Sequence, residues 1–290
     1  MEHKDNINLI YKAKSEGSQK IFGETFVDNN KNNIDLIING TNSELIHEYN
    51  LQKGNNNIQL IIKNKLTDLS KMFYKCKTLS NIEELKYLNT EYCTDFSEMF
   101  SECSLLSDIK PLENWNVSNA TSFKFMFYCC ESLSDIKALE NWNVSNVTDF
   151  EAMFNFCDSL SDIKPLEKWN VSKGNIFSSM FNQCSLLSDI KPLENWNVSN
   201  GSKFDYMFSK CSLLKDIKPL ENWNVSNGTD FGGMFYCCKA LSDVKPLEKW
   251  NVSKSANFTL MFSSCKKSLN LKELEKWDLP KGIKSFFPSL

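Results

Sequence analysis

The sequence predicts an α/β solenoid of about eight 27-residue units behind a small β-rich N-terminal module. Three observations predict it. The dipeptide Met-Phe returns every 27 residues, from Met72-Phe73 to Met261-Phe262. All seven tryptophans, Trp115 to Trp277, keep that spacing, and so do eight of the eleven cysteines, Cys76 to Cys265. A unit this short cannot bury its own apolar stripe, whereas stacked units bury a continuous core.

Residues 1–65 carry none of this phase. The runs "INLIYKA", "NIDLIING", "ELIHEYNL" and "NIQLIIKN" are short, β-branched and partly alternating, and Asn, Gly and Lys clusters separate them. That is a strand-and-turn pattern. It predicts a module that covers the open end of the array, since a terminal unit exposes an apolar face unless capped. An independent ligand-binding module is the alternative.

Residues 66–290 form the array, with units beginning at 66, 93, 120, 147, 174, 201, 228 and 255. A tail over 282–290 is out of phase, because Ser285 stands where the phenylalanine is due and Phe286 comes one residue late. The unit at 147–173 reads "VTDFEAMFNFCDSLSDIKPLEKWNVSK". Phe150, Met153, Phe154 and Cys157 sit at i, i+3, i+4 and i+7, which predicts one buried face of a helix. Thr148 and Glu151 stand at capping-box spacing and would start it. Leu160, Ile163, Leu166, Trp169 and Val171 form a second, wider-spaced apolar set. Its form, L-x-x-I-x-x-L-x-x-W-x-V, is similar to a leucine-rich-repeat strand and turn. A proline such as Pro165 interrupts it in five units, so any strand must be short or one-sided. A turn of 3₁₀ helix is the alternative. The Trp, Phe and Met columns read as core, with a carbohydrate-binding tryptophan stripe as the competing use.

The stretch "SLSDIKALENWNVSNVTDFEAMF", Ser132 to Phe154, resembles the repeat of BspA-type leucine-rich-repeat surface proteins. Their units read L-x-x-L-x-x-x-x-W-x-x-S-x-V-x-x-M-x-x-M-F-x-x-C. The resemblance covers roughly residues 66 to 281. It implies a leucine-rich-repeat-like solenoid used for adhesion or protein recognition, with no catalytic residues to carry over.

Composition narrows the function classes. Net charge is −3, and all 33 basic residues are lysine, so no concentrated basic face or guanidinium fork points to nucleic acid. Histidine occurs only at His3 and His47, outside the repeats, which removes His-based acid, base or triad chemistry from the array. Only ten glycines occur and none forms a phosphate-binding loop. No cofactor or metal set is visible, and the expectation is a non-enzymatic scaffold. No stretch approaches the roughly 18 apolar residues of a membrane span. The start "MEHKDNINLIYKAKSEG" lacks an apolar signal region, so the residues point to the cytoplasm, while the resemblance points to the cell surface or secretion.

Three repeated features carry two readings each. The periodic cysteines fall on the apolar face as small hydrophobes, although stacking would bring their Cα atoms near disulfide range. Each "NVS", as at Asn143 and Asn170, is both a glycosylation sequon and a turn former. The Asp, Lys and Glu of "SDIKPLE" form a repeated charged ladder, read either as a solvated surface or as a binding one. By the resemblance the strand face is the binding face, and its candidate partner-binding residues are Asp162, Lys164, Asp189, Lys191, Asp216 and Lys218. An identical ladder suits a protein partner that is periodic or multivalent, where weak contacts combine through effective concentration. It equally suits recent duplication under packing constraints. A structural spacer presenting the N-terminal module is the rival function. Variation concentrates at positions such as Tyr128, Glu151 and Tyr206, expected on the outside of the helix.

Overall fold

A computed structural model describes residues 5–266 and 268–277. The chain opens with β1 (Asp5–Ala13), β2 (Gly17–Lys20) and a short helix α1 (Glu24–Asn30). There follow β3 (Ile34–Ile38), β4 (Thr41–Ser43), β5 (Glu48–Leu51) and β6 (Gly54–Ile62). The expected β-rich start is present. Three of the four runs become β1, β3 and β6, and the fourth supplies β5; β2, α1 and β4 lie outside those runs. In β1, Ile7, Leu9, Tyr11 and Ala13 are buried, and in β6 so are Ile58, Leu60 and Ile62. That alternation fixes register, because a one-residue slip would turn every apolar side chain outward. Ile7 accordingly faces Leu60, and Leu9 faces Ile58. Asn39 and Gly40, at φ 49° and 85°, make the tight turn between β3 and β4 that right-twisted hairpins favour.

The sheet does not stop at residue 65. Its order is β4-β3-β6-β1-β7, and β7 (Leu79–Asn81) comes from the first repeat unit. Lys12 N–H donates to Thr78 O at 2.7 Å, and Gly23 N–H to Met72 O at 3.0 Å. The Phe22 and Phe73 rings lie 5.9 Å apart. Gly23 is required by this approach, since a Cβ there would lie 2.0 Å from the Lys71 carbonyl oxygen. Backbone on both sides leaves little room to relax. Gly23→Ala is therefore expected to cost about 1–3 kcal/mol, the range for overpacking a tight contact. An unshifted denaturation midpoint would show the contact to be loose.

Within the array the predicted helix is absent. Among the described residues the only α-helix is Glu24–Asn30. Single-residue parallel bridges instead link Asp68, Asp95, Ser122, Asp149, Ile176, Lys203, Asp230 and Asn257, one per unit. In the 147–173 unit, the N–H groups of Phe150, Ala152, Phe154 and Phe156 donate to Ile176, Ser178, Met180 and Asn182 of the next unit. Those of Met153, Asn155 and Cys157 turn back three residues, to Phe150, Ala152 and Phe154. Ala152 and Phe156 have φ of 53° and 61°, as the third residue of a type II turn requires and an α-helix forbids. The segment is thus a run of β-turns whose every second N–H pairs with a neighbour. Phe150, Met153, Phe154 and Cys157 are still fully buried, so the apolar spacing is met by turns. No capping box forms. Thr148 Oγ1 donates to Thr121 O, and Glu151 N–H bonds the Asp149 carboxylate.

The second apolar set is also not a strand. Lys164–Leu166 is a turn of 3₁₀ helix with Pro165 second, and the same turn recurs in other units. Lys137–Leu139 adopts it with alanine in place of proline, so the proline favours the turn without being needed for it. Trp142, Trp169 and Trp196 are 4% exposed, which rules out an open carbohydrate-binding stripe. Each indole N–H donates to a leucine carbonyl of the preceding unit, Trp169 to Leu139 at 2.9 Å. Trp115 and Trp142 stack at 6.4 Å. The chain is a repeat protein of sheets and periodic 3₁₀ turns. The expected out-of-phase tail, 282–290, lies outside the described residues.

Candidate interaction surface

All six candidate residues are exposed. The aspartates have a local task, because each accepts the backbone N–H of the lysine two residues on. The distance is 2.8 Å for Asp162 to Lys164, Asp189 to Lys191 and Asp216 to Lys218. Their recurrence therefore follows from the start of the 3₁₀ turn. The lysine ammonium groups have no such task. Lys164, Lys191 and Lys218 make no ion pair among the described residues.

The turn also sets where the charges lie. Glu167 N–H donates to Lys164 O at 3.0 Å, so lysine and glutamate stand at i and i+3 of one 3₁₀ turn. Side chains three apart eclipse in such a turn. Between units, a groove of about 450 Å³ brings Asp162 and Lys164 together with Asp135, Lys137, Glu140 and Glu167. A second, of about 420 Å³, joins Asp216 and Lys218 to Glu221, Asp243, Lys245 and Glu248. Asp189 and Lys191 line neither. A few pairs tie the surface laterally, such as Lys137–Glu140 at 3.1 Å and Glu221–Lys249 at 2.5 Å. Hydrogen bonds from these lysines hold the Glu140 and Glu221 carboxyls below their ordinary range. Exposed pairs of this kind add little stability.

The variable positions lie elsewhere, on the bridged run of β-turns. The sheet-like pairing thus belongs to the Met-Phe segment, and the face expected to be strand carries the 3₁₀ turns. Tyr128 sits 5.3 Å from Phe125 and 5.7 Å from Phe156, edge to face in both cases. Lys124 pairs with Glu151 at 2.7 Å. Tyr206, 39% exposed, lies over Gly233, where a Cβ would meet its ring at 2.3 Å. Sequence reasoning identified Tyr128, Glu151 and Tyr206 as variable but not this aromatic cluster. Phe125, Tyr128 and Phe156 occupy different positions in their units, so no periodic signal announces them.

The thiols point inward. Cys157 Sγ donates to Phe127 O at 3.2 Å, and the same bond recurs from Cys103 to Cys265. Burial pushes these thiols up, Cys265 to about 11. All eleven cysteines are free. The "NVS" asparagines act in turns, with Asn143 Oδ1 accepting Ser145 N–H at 3.2 Å. Among the described residues no cluster of three His, Cys, Asp or Glu could hold a metal, and no helix is long and apolar enough to cross a membrane.

Two tandem stretches, residues 43–164 and 158–277, match one family model, described as "Mycoplasma protein of unknown function, DUF285". No curated protein and no solved structure matches the chain.

Proposed function

We propose that this chain, which belongs to the DUF285 family of Mycoplasma proteins of unknown function, is a non-enzymatic interaction scaffold. On this reading the array is a leucine-rich-repeat-like solenoid of the kind the BspA-type resemblance implies, and its task is protein binding or adhesion. One observation carries the proposal. The Phe, Met, Trp and Cys columns are consumed by the core, while the lysines of the 3₁₀ turns stand exposed in register, and Lys164, Lys191 and Lys218 make no ion pair among the described residues. A row of identical weak contacts suits a partner that presents several copies of one group.

The test uses the full chain. Reversing Lys164, Lys191 and Lys218 together to Glu is expected to leave the melting temperature nearly unchanged, since exposed substitutions usually stay within about 0.5 kcal/mol. Binding to a partner should fall more steeply for the triple change than for any single one. Normal binding by the triple variant, with loss on changing Tyr128, Glu151 or Tyr206, would move the working surface to the bridged face.

A second reading keeps the array as a spacer for the N-terminal module. It is favoured by a depression of about 760 Å³ on that module, whose lining includes Lys31, Asp35, Ile37, Asn42, Glu44 and Ile61. Loss of binding on changing Asp35 and Asn42, with the triple lysine variant unaffected, would select it.

A further inference from the structure

We infer that the partner fitted by the charged face is a second copy of this chain, lying alongside in the same direction with each lysine row against the other's glutamate row. The inference rests on reading that face as an interaction surface, and it names what would cover it.

The geometry comes from the 3₁₀ turns. One lysine per unit, from Lys110 to Lys245, begins the turn, and one glutamate, from Glu113 to Glu248, follows three residues later. With a rise of about 2 Å per residue, the two rows run about 6 Å apart. Along each row the charge repeats once per unit, and next to these turns the phase-equivalent Trp115 and Trp142 rings lie 6.4 Å apart. Lys137, Lys164, Glu140 and Glu167 line one groove, and Lys218, Lys245, Glu221 and Glu248 line another, so both rows share one surface. Among the described residues, Lys137–Glu140 is the single ion pair that joins the rows within a unit. Lys164 and Glu167, and Lys191 and Glu194, stand exposed without one another.

Two opposite rows side by side repel a simple polyanion as much as they attract it. Their complement is a surface with the same two rows in reversed lateral order. A two-fold axis parallel to the rows supplies that order from a second copy, because it exchanges left and right across the interface. A two-fold axis across the rows would set lysine on lysine. A symmetric pair therefore has to be parallel, with residue i meeting j and j meeting i. Units whose lysine and glutamate carry no local ion pair, such as Lys164 with Glu167 and Lys191 with Glu194, each add a contact of each kind, so weak pairs accumulate.

Sedimentation equilibrium of the full chain tests this over a wide dilution series. At low salt the protein is expected to dimerise, and added salt should dissociate it by screening. The acidic variant, Lys164, Lys191 and Lys218→Glu, and the basic variant, Glu167, Glu194 and Glu221→Lys, should each self-associate at least about tenfold more weakly. An equimolar mixture of the two should restore the dimer. A wild-type chain that stays monomeric at low salt overturns the inference, as do variants that dimerise like wild type or fail to pair when mixed. If the chain is monomeric yet binds a different protein through Lys164, Lys191 and Lys218, self-pairing fails while the scaffold reading stands.

Discussion

Phe154→Ala is expected to lower the unfolding free energy by about 3–5 kcal/mol, the range for removing a large buried aromatic side chain. Phe154 is 0% exposed. Its ring stacks on Phe127 and Phe181, each 5.8 Å away, with interplanar angles of 7° and 9°. The substitution therefore opens a cavity that touches the interfaces on both sides of one unit. In an array whose stability is close to a sum over units and neighbour interfaces, two interface terms weaken together. Chemical denaturation with a fluorescence or circular-dichroism readout measures the loss. A cost below about 1 kcal/mol is the size seen for surface positions and would contradict the stacking.

Phe154 also shows how far the sequence could be read. Its burial was legible because the Met-Phe pair recurs in phase with Trp169 and Cys157, and a residue that recurs in every unit marks a packing column. Its backbone was not legible. An i, i+3, i+4, i+7 pattern describes a helix face, yet consecutive β-turns gather the same residues on one side. What decides between them is the acceptor of the Phe154 N–H, Met180 O, which lies 26 residues ahead. Local periodicity carries no information about that partner. Nor do glycines advertise the left-handed positions. Ala152, Phe156, Tyr206 and Leu260 all adopt positive φ, and only Gly233 stands where a reader would look for one. The charged face was half legible. Asp162 and Lys164 were recognised as a recurring exposed set, but their recurrence alone could not separate duty from duplication. The hydrogen bond from Lys164 N–H to Asp162 assigns the aspartate to the turn and gives the lysine ammonium no such local task. The N-terminal module was readable as strands because β1 and β6 alternate. Its join to the array was not, since β7 falls inside the first repeat unit.

The largest effect is expected at alkaline pH. Cys76, Cys103, Cys130, Cys157, Cys184, Cys211 and Cys238 are fully buried, and burial, as the leading cause, pushes every one of these thiols up. In the unfolded chain the same groups ionise near pH 8.5. Between that value and the raised folded values, the folded state holds protons that the unfolded state has released. Stability is therefore complete below about pH 8.5 and falls as pH rises above it. Each thiol contributes about 1.4 kcal/mol per pH unit in that window. If the array unfolds as one body, the seven thiols act in the same direction, so the loss above about pH 8.5 is expected to be large against a typical domain stability of about 5–15 kcal/mol. Buried Tyr11, raised mainly by desolvation, adds a loss of the same sign near and above pH 10. Denaturation curves at a series of pH values in reductant measure the slope. Cys184→Ala should start from a lower stability and show a slope smaller by about one thiol's share. A stability that stays level from neutral pH to about 9.5 would mean the thiols ionise as readily in the folded chain as in the unfolded one, and the inward-facing column would be wrong.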